Sequence, residues 1–378
     1  MAELKPHGML AEQTDSERYR HEFLVDLKSY LMREVAPTVQ RAWAQRVEPA
    51  ARADGHEVRD RHEVATLMDG ESEFLWWSAL ARTQHELYVD STANCVHRQL
   101  PALIERYRAI SGGATRGSLS LDPGVPIPDY QSRVDTHCIP GGYFAELADD
   151  DVYVGARYDI GLNLFSRGQR GARNDRAACH SIAMLQARLP EFTPQAVLDL
   201  GCGIGNTTLP FAETWPQAAV TGIDLSAPAL RYAHARAESL GVAVHFRQAN
   251  AECTALPDAS FDIVAAHILL HETSRAALDH ILAEAFRLLR PGGVFLVADV
   301  PRHLTAKTPF EQYTAAWDAQ HNNEPFFGAL LFDIDLGEIA VAAGFDRASL
   351  HEELTRGEQG NDTYGYWGLL ARKPAAGE

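Results

Sequence analysis

The stretch Ala196-Val-Leu-Asp-Leu-Gly-Cys-Gly-Ile-Gly-Asn206 constrains the fold more than any other part of the chain. A short apolar run ending in an acid reads as a buried parallel strand. Gly201, Gly203 and Gly205 then alternate, and Asn206-Thr-Thr-Leu-Pro-Phe211 opens an apolar helical segment. Glycine at such a turn permits unusual backbone angles and removes the Cβ that would hold a ligand off the main chain. A second strand-like run, Ala219-Val-Thr-Gly-Ile223, ends at Asp224. That acid lies about 20 residues on, where nucleotide-binding folds keep a ribose-binding carboxylate. Strand, glycine turn, helix, strand and acid together predict an adenosine-type ligand.

The rest of the C-terminal half continues the alternation. Strands are predicted near 196–200, 219–223, 243–247, 261–266, 293–299, 347–353 and 364–372. The first five alternate with helical segments, which implies a parallel sheet with helices on both faces. The last two, joined through Gly357 to Asn361, suit an antiparallel hairpin at the edge. Residues 16 to about 110 read as helical, because Phe23, Leu24, Leu27, Tyr30 and Leu31 recur at three- and four-residue steps. Pro37 and Pro49 are expected to start or break helices. Ser111 to Pro128 is rich in Gly, Ser and Pro and reads as a linker. The organisation predicted is a helical N-terminal domain over 1–128, a linker or lid segment over 129–171 and a catalytic domain over 172–378.

The motifs resemble those of the class I S-adenosylmethionine-dependent methyltransferases. VLDLGCGIG looks like that family's first motif and Gly222-Ile-Asp-Leu-Ser226 like its second. Gln248-Ala-Asn-Ala-Glu-Cys-Thr-Ala-Leu-Pro257 is similar to the third, Phe261-Asp-Ile-Val-Ala265 to the fourth strand, and Leu288-Leu-Arg-Pro-Gly-Gly-Val-Phe295 to the turn into the fifth. The resemblance runs over residues 158 to 373. It departs at Asn250, where many members carry Asp, but a side-chain acceptor for the adenine amino group is kept. What it implies is an α/β fold, a doubly wound, seven-stranded, mostly parallel Rossmann-like sheet, with S-adenosylmethionine as cofactor.

Ligands of open parallel sheets bind outside the carboxyl ends of the strands, where Asp199, Asp224, Asn250 and His267 all fall. The backbone of Gly201, Gly203 and Gly205 suits the methionyl portion, and Asp199 its ammonium. Asp224, with Leu225 beside it, suits the ribose hydroxyls, because a carboxylate accepts several hydrogen bonds. Asn250 and Ala251 suit the adenine, with Glu252 nearby. Tyr158 resembles the aromatic that many relatives lay over the cofactor. Cys202 reads as a small residue that fits a tight loop.

Methyl transfer asks mainly for alignment, and for a base where the acceptor must lose a proton. His271, in Ala266-His-Ile-Leu-Leu-His-Glu272, is the candidate catalytic base, following the fourth strand where the methyl should project. Glu272 could orient it, although neighbours on a helix point apart. His267, His271 and Glu272 have a metal-like spacing, but no third ligand stands out in sequence, so no metal is expected. His137 and Tyr143 of the Gly-rich His137-to-Phe144 stretch, and Trp317 and His321 of the aromatic segment Pro309 to Phe332, are candidate acceptor contacts. That aromatic segment reads equally as a helix docked on the N-terminal domain.

Charge narrows the partner class. A net charge of −17 argues against broad affinity for nucleic acid or anionic lipid, and the only compact basic segment is Arg167 to Arg176. No run approaches a membrane span, the first residues lack a secretory pattern, and five scattered cysteines suit reduced thiols in a cytoplasm. The predicted partner is a small-molecule substrate, with the N-terminal helices suited to homodimerisation or to closing the pocket. Two other readings share these residues: attack on the aminobutyrate chain of the cofactor, and a cofactor-bound scaffold without turnover.

Overall fold

Strands that are apolar at consecutive positions bury both faces, and the centre of this chain is built that way. The computed structural model describes residues 4–300, 308–322, 324–354 and 365–375. Among these, one sheet contains β1 (Ser118–Ser120), β2 (Ala196–Leu200), β3 (Ala219–Asp224), β4 (His245–Gln248), β5 (Phe261–His267), β6 (Leu289–Asp299), β7 (His351–Leu354) and β8 (Trp367–Arg372). The spatial order is β1-β4-β3-β2-β5-β6-β8-β7. All pairs are parallel except those of β8 with β6 and β7.

Successive strand residues take opposite faces. Val197, Ile263, Val294 and Leu296 pack against the helices Arg176–Arg188, Leu209–Thr214 and Ala227–Leu240. Leu198, Val264, Phe295 and Val297 pack against Arg275–Leu288 and Leu336–Ala343. The doubly wound sheet expected from the sequence is therefore present, with one addition. The segment expected as a linker contributes β1, so the sheet has eight strands rather than seven. A three-residue Ser-Leu-Ser edge strand carries almost no hydrophobic signal. It is pinned by tertiary bonds: the Arg116 and Gly117 N–H groups donate to Glu238 (2.9 and 2.7 Å). Gly117 is required there, since a Cβ would sit 2.0 Å from the Val244 carbonyl oxygen. β7 and β8 form the expected antiparallel edge pair; the Gly357-to-Asn361 joint lies outside the described residues.

Residues 15–111 are mainly helical, ending with Ser72–His97 and Leu100–Ser111. Pro37 and Pro49 neither start nor break a helix: each follows a π-helical turn, Leu31–Val35 and Trp43–Val47, in one run of helical backbone from Asp15 to Ala53, and the wider turn absorbs the hydrogen bond that proline cannot make. The helix Tyr153–Phe165 joins this layer to the sheet. Cys95, Leu103, Tyr153 and Ile160 share one buried cluster with Ile204 of the glycine turn and Tyr232. At its centre the Asp159 carboxylate accepts from Tyr232 Oη and His7 Nε2, both at 2.9 Å. Among the described residues no helix is long and apolar enough to cross a membrane.

Candidate functional site

The carboxyl ends of β2, β3 and β5 open on two clefts that meet at Gly201. One is bounded by Tyr158, Arg170, Gly203, Asn206 and His267. The other is bounded by Asp224, Leu225, Asn250, Ala251, Tyr143 and Glu272. The glycines divide the work. Gly203 has φ +51°, and a Cβ there would meet nothing within 4 Å, so its backbone is open to the cleft. Gly205 has φ +72° and is needed for packing, because a Cβ would stand 2.9 Å from the Phe246 ring.

Asp224 ends β3 and ties it to the turn: Oδ2 accepts from the Gly203 N–H and Oδ1 from the Ser226 N–H, both at 2.8 Å. Burial raises its pKa to about 6, opposed by those two N–H groups and reinforced by the Glu272 and Asp199 carboxylates. The following helix is capped by Ser226 rather than by Asp224. Asn250 Oδ1 accepts from the Glu252 N–H (2.9 Å), which shapes the far wall of the second cleft.

Asp199 and Glu252 line neither cleft, while His267 borders one of them. Asp199 is fully buried and lines neither cleft. Its carboxylate accepts from Thr207 Oγ1 (2.9 Å) and Thr208 Oγ1 (2.6 Å), so it braces the turn from beneath. His267 borders the glycine-side cleft, not the Asn250 side, and bonds Ser181 Oγ at 2.7 Å. Glu252 accepts from Tyr130 Oη and His280 Nδ1, both at 3.0 Å. Cys202 is buried, and burial drives its thiol pKa well up, so it is a packing residue.

Beside both clefts lies a cavity of about 260 Å³. It shares Tyr158 and Arg170 with the first cleft, and Tyr143 and Glu272 with the second. Its floor is a network of imidazoles and carboxylates. His271 Nδ1 donates to Asp299 Oδ1 (2.5 Å), and Asp299 also accepts from the Leu270 N–H (2.9 Å). His271 Nε2 lies 3.5 Å from Glu324 Oε1 and 3.9 Å from Glu272 Oε1. His137 Nε2 stands 3.0 Å from Glu324 Oε1 and 3.3 Å from Glu272 Oε1, and Tyr143 Oη donates to that same Glu272 oxygen at 3.0 Å. Burial works against protonation of His271, but the Asp299 and Glu324 carboxylates outweigh it and raise its pKa well above the ordinary histidine value.

His137 and Tyr143 thus line the cavity, as the sequence led one to expect, while Trp317 and His321 do not. Trp317 packs edge-on to Phe74 (5.0 Å) and stacks on His321 (4.3 Å), in a cluster that also holds Phe310 and Tyr313. The aromatic helix Pro309–Asn322 is the docked helix of the alternative reading, because its rings complete the N-terminal core. Four cavity or network residues carried no sequence signal strong enough to single them out: Glu324, Arg157, Arg170 and Asp299. Asp299 was within reach, since it is an acid at the end of a strand. Glu324 was not, being brought in only by the turn after the aromatic helix.

The sequence profile of the methyltransferase domain family matches residues 197–293. An uncharacterised methyltransferase of Synechocystis sp. is 32% identical over 157 residues, which are 42% of this chain and 69% of that protein. The chain belongs to the class I S-adenosylmethionine-dependent methyltransferases. The family's cofactor, S-adenosylmethionine, is the adenosine-type ligand predicted by the glycine turn. Among other relatives, the demethylmenaquinone methyltransferase of Thermus thermophilus is 33% identical over 39% of this chain and 63% of its own length. The trans-aconitate 2-methyltransferase of Azoarcus sp. is 38% identical over 33% of this chain and 49% of its own. This chain therefore spans less than two thirds of the length of either. A phosphoethanolamine N-methyltransferase of Haemonchus contortus superposes with a TM-score of 0.42 at 18% identity, covering 60% of each chain.

Proposed function

We propose that this chain transfers the methyl group of S-adenosylmethionine to a small molecule held in the 260 Å³ cavity. The observation that carries the reading is the shared wall: Tyr158 and Arg170 border the cavity and the glycine-side cleft, Tyr143 and Glu272 the cavity and the Asp224 side. A ligand spanning both clefts therefore has its middle against the cavity. The cofactor supplies a methyl group already activated on a sulfonium, so the protein's share is alignment and exclusion of water. In this reading the open backbone at Gly203, with Asn206 and Arg170, holds the methionyl end. Asp224 accepts from the ribose hydroxyls, and Leu225, Asn250 and Ala251 take the adenine. Helix Ser72–His97 contributes His85, Tyr88 and Val89 to the cavity wall, which supports a lid role for residues 1–128 over a catalytic unit at 172–378.

The acceptor we infer carries an anionic group. Arg157 lines the cavity, is 8% exposed, and its Nε has no hydrogen-bond partner among the described residues. A buried guanidinium nitrogen without a partner is costly unless a ligand meets it. Relatives named for aconitate and phosphoethanolamine act on small anions of this kind. His271, fixed through Nδ1 by Asp299, turns Nε2 to the cavity; the Asp299 and Glu324 carboxylates favour its protonated form, so we assign it to donating a hydrogen bond to the acceptor rather than to the base role expected from the sequence. The test is product analysis with a panel of small carboxylates and phosphates. Release of S-adenosylhomocysteine with a methylated acceptor supports the reading. Methylthioadenosine would assign the pocket to aminobutyrate chemistry, and cofactor binding with no product across the panel would mark a scaffold.

A further inference from the structure

The cavity floor brings together donors that come from three separate parts of the sequence. His137 stands in a turn where it and Cys138 both have φ +56°, an arrangement costly for residues with a Cβ. Glu272 follows β5, and Glu324 follows the aromatic helix Pro309–Asn322. One ligand atom from each, His137 Nε2 and an oxygen of each carboxylate, lies within 4.8 Å of the others. The His137 Nε2 separations from Glu324 and Glu272 are 3.0 and 3.3 Å. Bonds of about 2.0–2.2 Å to one ion place neighbouring donors roughly 3–3.5 Å apart, so these atoms already sit near the corners of a coordination shell.

Burial makes the arrangement demanding. Glu324 is 4% exposed, and Glu272 is turned inward beside it. Two buried carboxylates this close favour positive charge between them, which either the imidazoles of His137 and His271 or a bound cation can supply. The surrounding groups are also those that steady metal ligands. Tyr143 Oη holds one Glu272 oxygen at 3.0 Å, and His85 Nε2 donates to the His137 carbonyl at 3.0 Å. His271 Nε2 approaches Glu324 at 3.5 Å, oriented from behind by Asp299.

We propose that His137, Glu272 and Glu324 form a binding site for a divalent transition-metal ion that opens onto the acceptor cavity. A mixed imidazole and carboxylate set suits manganese, iron, cobalt or zinc better than calcium or magnesium, which take oxygen donors. Three protein ligands leave coordination positions for an oxygen of the bound small molecule, and this part of the inference rests on the cavity being the acceptor site. Of the sequence pattern His267, His271, Glu272 only Glu272 belongs to the set, because the other two ligands are not local. His267 faces Ser181 instead, and His137 and Glu324 arrive from either side.

The experiment is titration of the full-length, chelator-treated protein with Co²⁺, followed by visible absorption, with S-adenosylhomocysteine calorimetry on every sample. The expected result is saturation at one equivalent with ligand-field bands. Glu324→Gln and His137→Ala should each weaken Co²⁺ binding by about 100-fold, at least as much as the roughly 10–100-fold cost of losing a supporting residue. Both variants should still bind S-adenosylhomocysteine, which reports an intact fold and glycine turn. Absence of saturable Co²⁺ binding in protein that binds S-adenosylhomocysteine overturns the site, as does binding that neither substitution weakens. Failure of the methyltransferase reading looks different: Co²⁺ binds, yet no acceptor is methylated.

Discussion

Replacing Asp224 by asparagine tests the cofactor assignment at its most exposed point. The carboxylate accepts from the Gly203 and Ser226 N–H groups through different oxygens, both at 2.8 Å. Asparagine offers one oxygen and one NH₂, so one of those N–H groups must lose its acceptor, and a ribose hydroxyl loses a charged partner. The orphaned N–H lowers the stability of free and bound protein alike, whereas the ribose hydroxyl that loses its charged partner costs about 1–3 kcal/mol of binding, or roughly 10–100-fold in affinity for S-adenosylhomocysteine. Titration gives a second handle. Burial holds Asp224 at about 6 in the unliganded protein, with Glu272 and Asp199 adding to the rise. Binding to the hydroxyls uses the ionised form, so affinity should fall about tenfold from pH 7 to pH 5, and the slope should vanish in Asp224→Asn. Stability runs the other way: a raised carboxylate pKa favours the unliganded fold below its unfolded value near 4 and loses that contribution as pH rises through about 6. Calorimetry from pH 5 to 8 on both proteins measures the binding terms. A variant within twofold of the parent, or a parent with a flat profile, refutes the ribose assignment.

The two glycines should separate binding from folding. Gly203→Val should fold at a cost of about 1–2 kcal/mol for its left-handed backbone and lose cofactor binding in calorimetry, because its side chain would project into an open cleft. Gly205→Ala should instead lower the melting temperature, by about 2–3 kcal/mol of stability, as its Cβ meets the Phe246 ring. His271→Ala should cut turnover by about 100-fold while S-adenosylhomocysteine affinity stays within a few-fold; a proportional loss of affinity would move His271 into the cofactor site. Arg157→Gln should raise the acceptor KM by roughly 10–100-fold with a small change in kcat, as expected for a lost charged hydrogen bond; an unchanged KM removes the anionic acceptor.

The sheet and the cofactor clefts were legible along the chain for a local reason. Strand burial, the glycine turn and the acid ending β3 are each written in a few consecutive residues, so Gly203 and Asp224 could be named from spacing, and Asn250 from the resemblance of its segment to the family's third motif. Asp199 shows the limit: the same rule selects it, but whether a strand-end carboxylate faces a ligand or braces a turn depends on Thr207 and Thr208 folding back over it. β1 escaped notice because its stability comes from Glu238 and Val244, not from its own Ser-Leu-Ser. The cavity was decided almost wholly by tertiary structure. His85, His137, Arg157, Glu272 and Glu324 have no common spacing, and they meet because the N-terminal helices dock through Phe74 and Trp77 onto the aromatic helix. The same docking keeps Trp317 and His321 out of the cavity wall. Periodicity shows that a ring is buried, but only the packing shows what it is buried against.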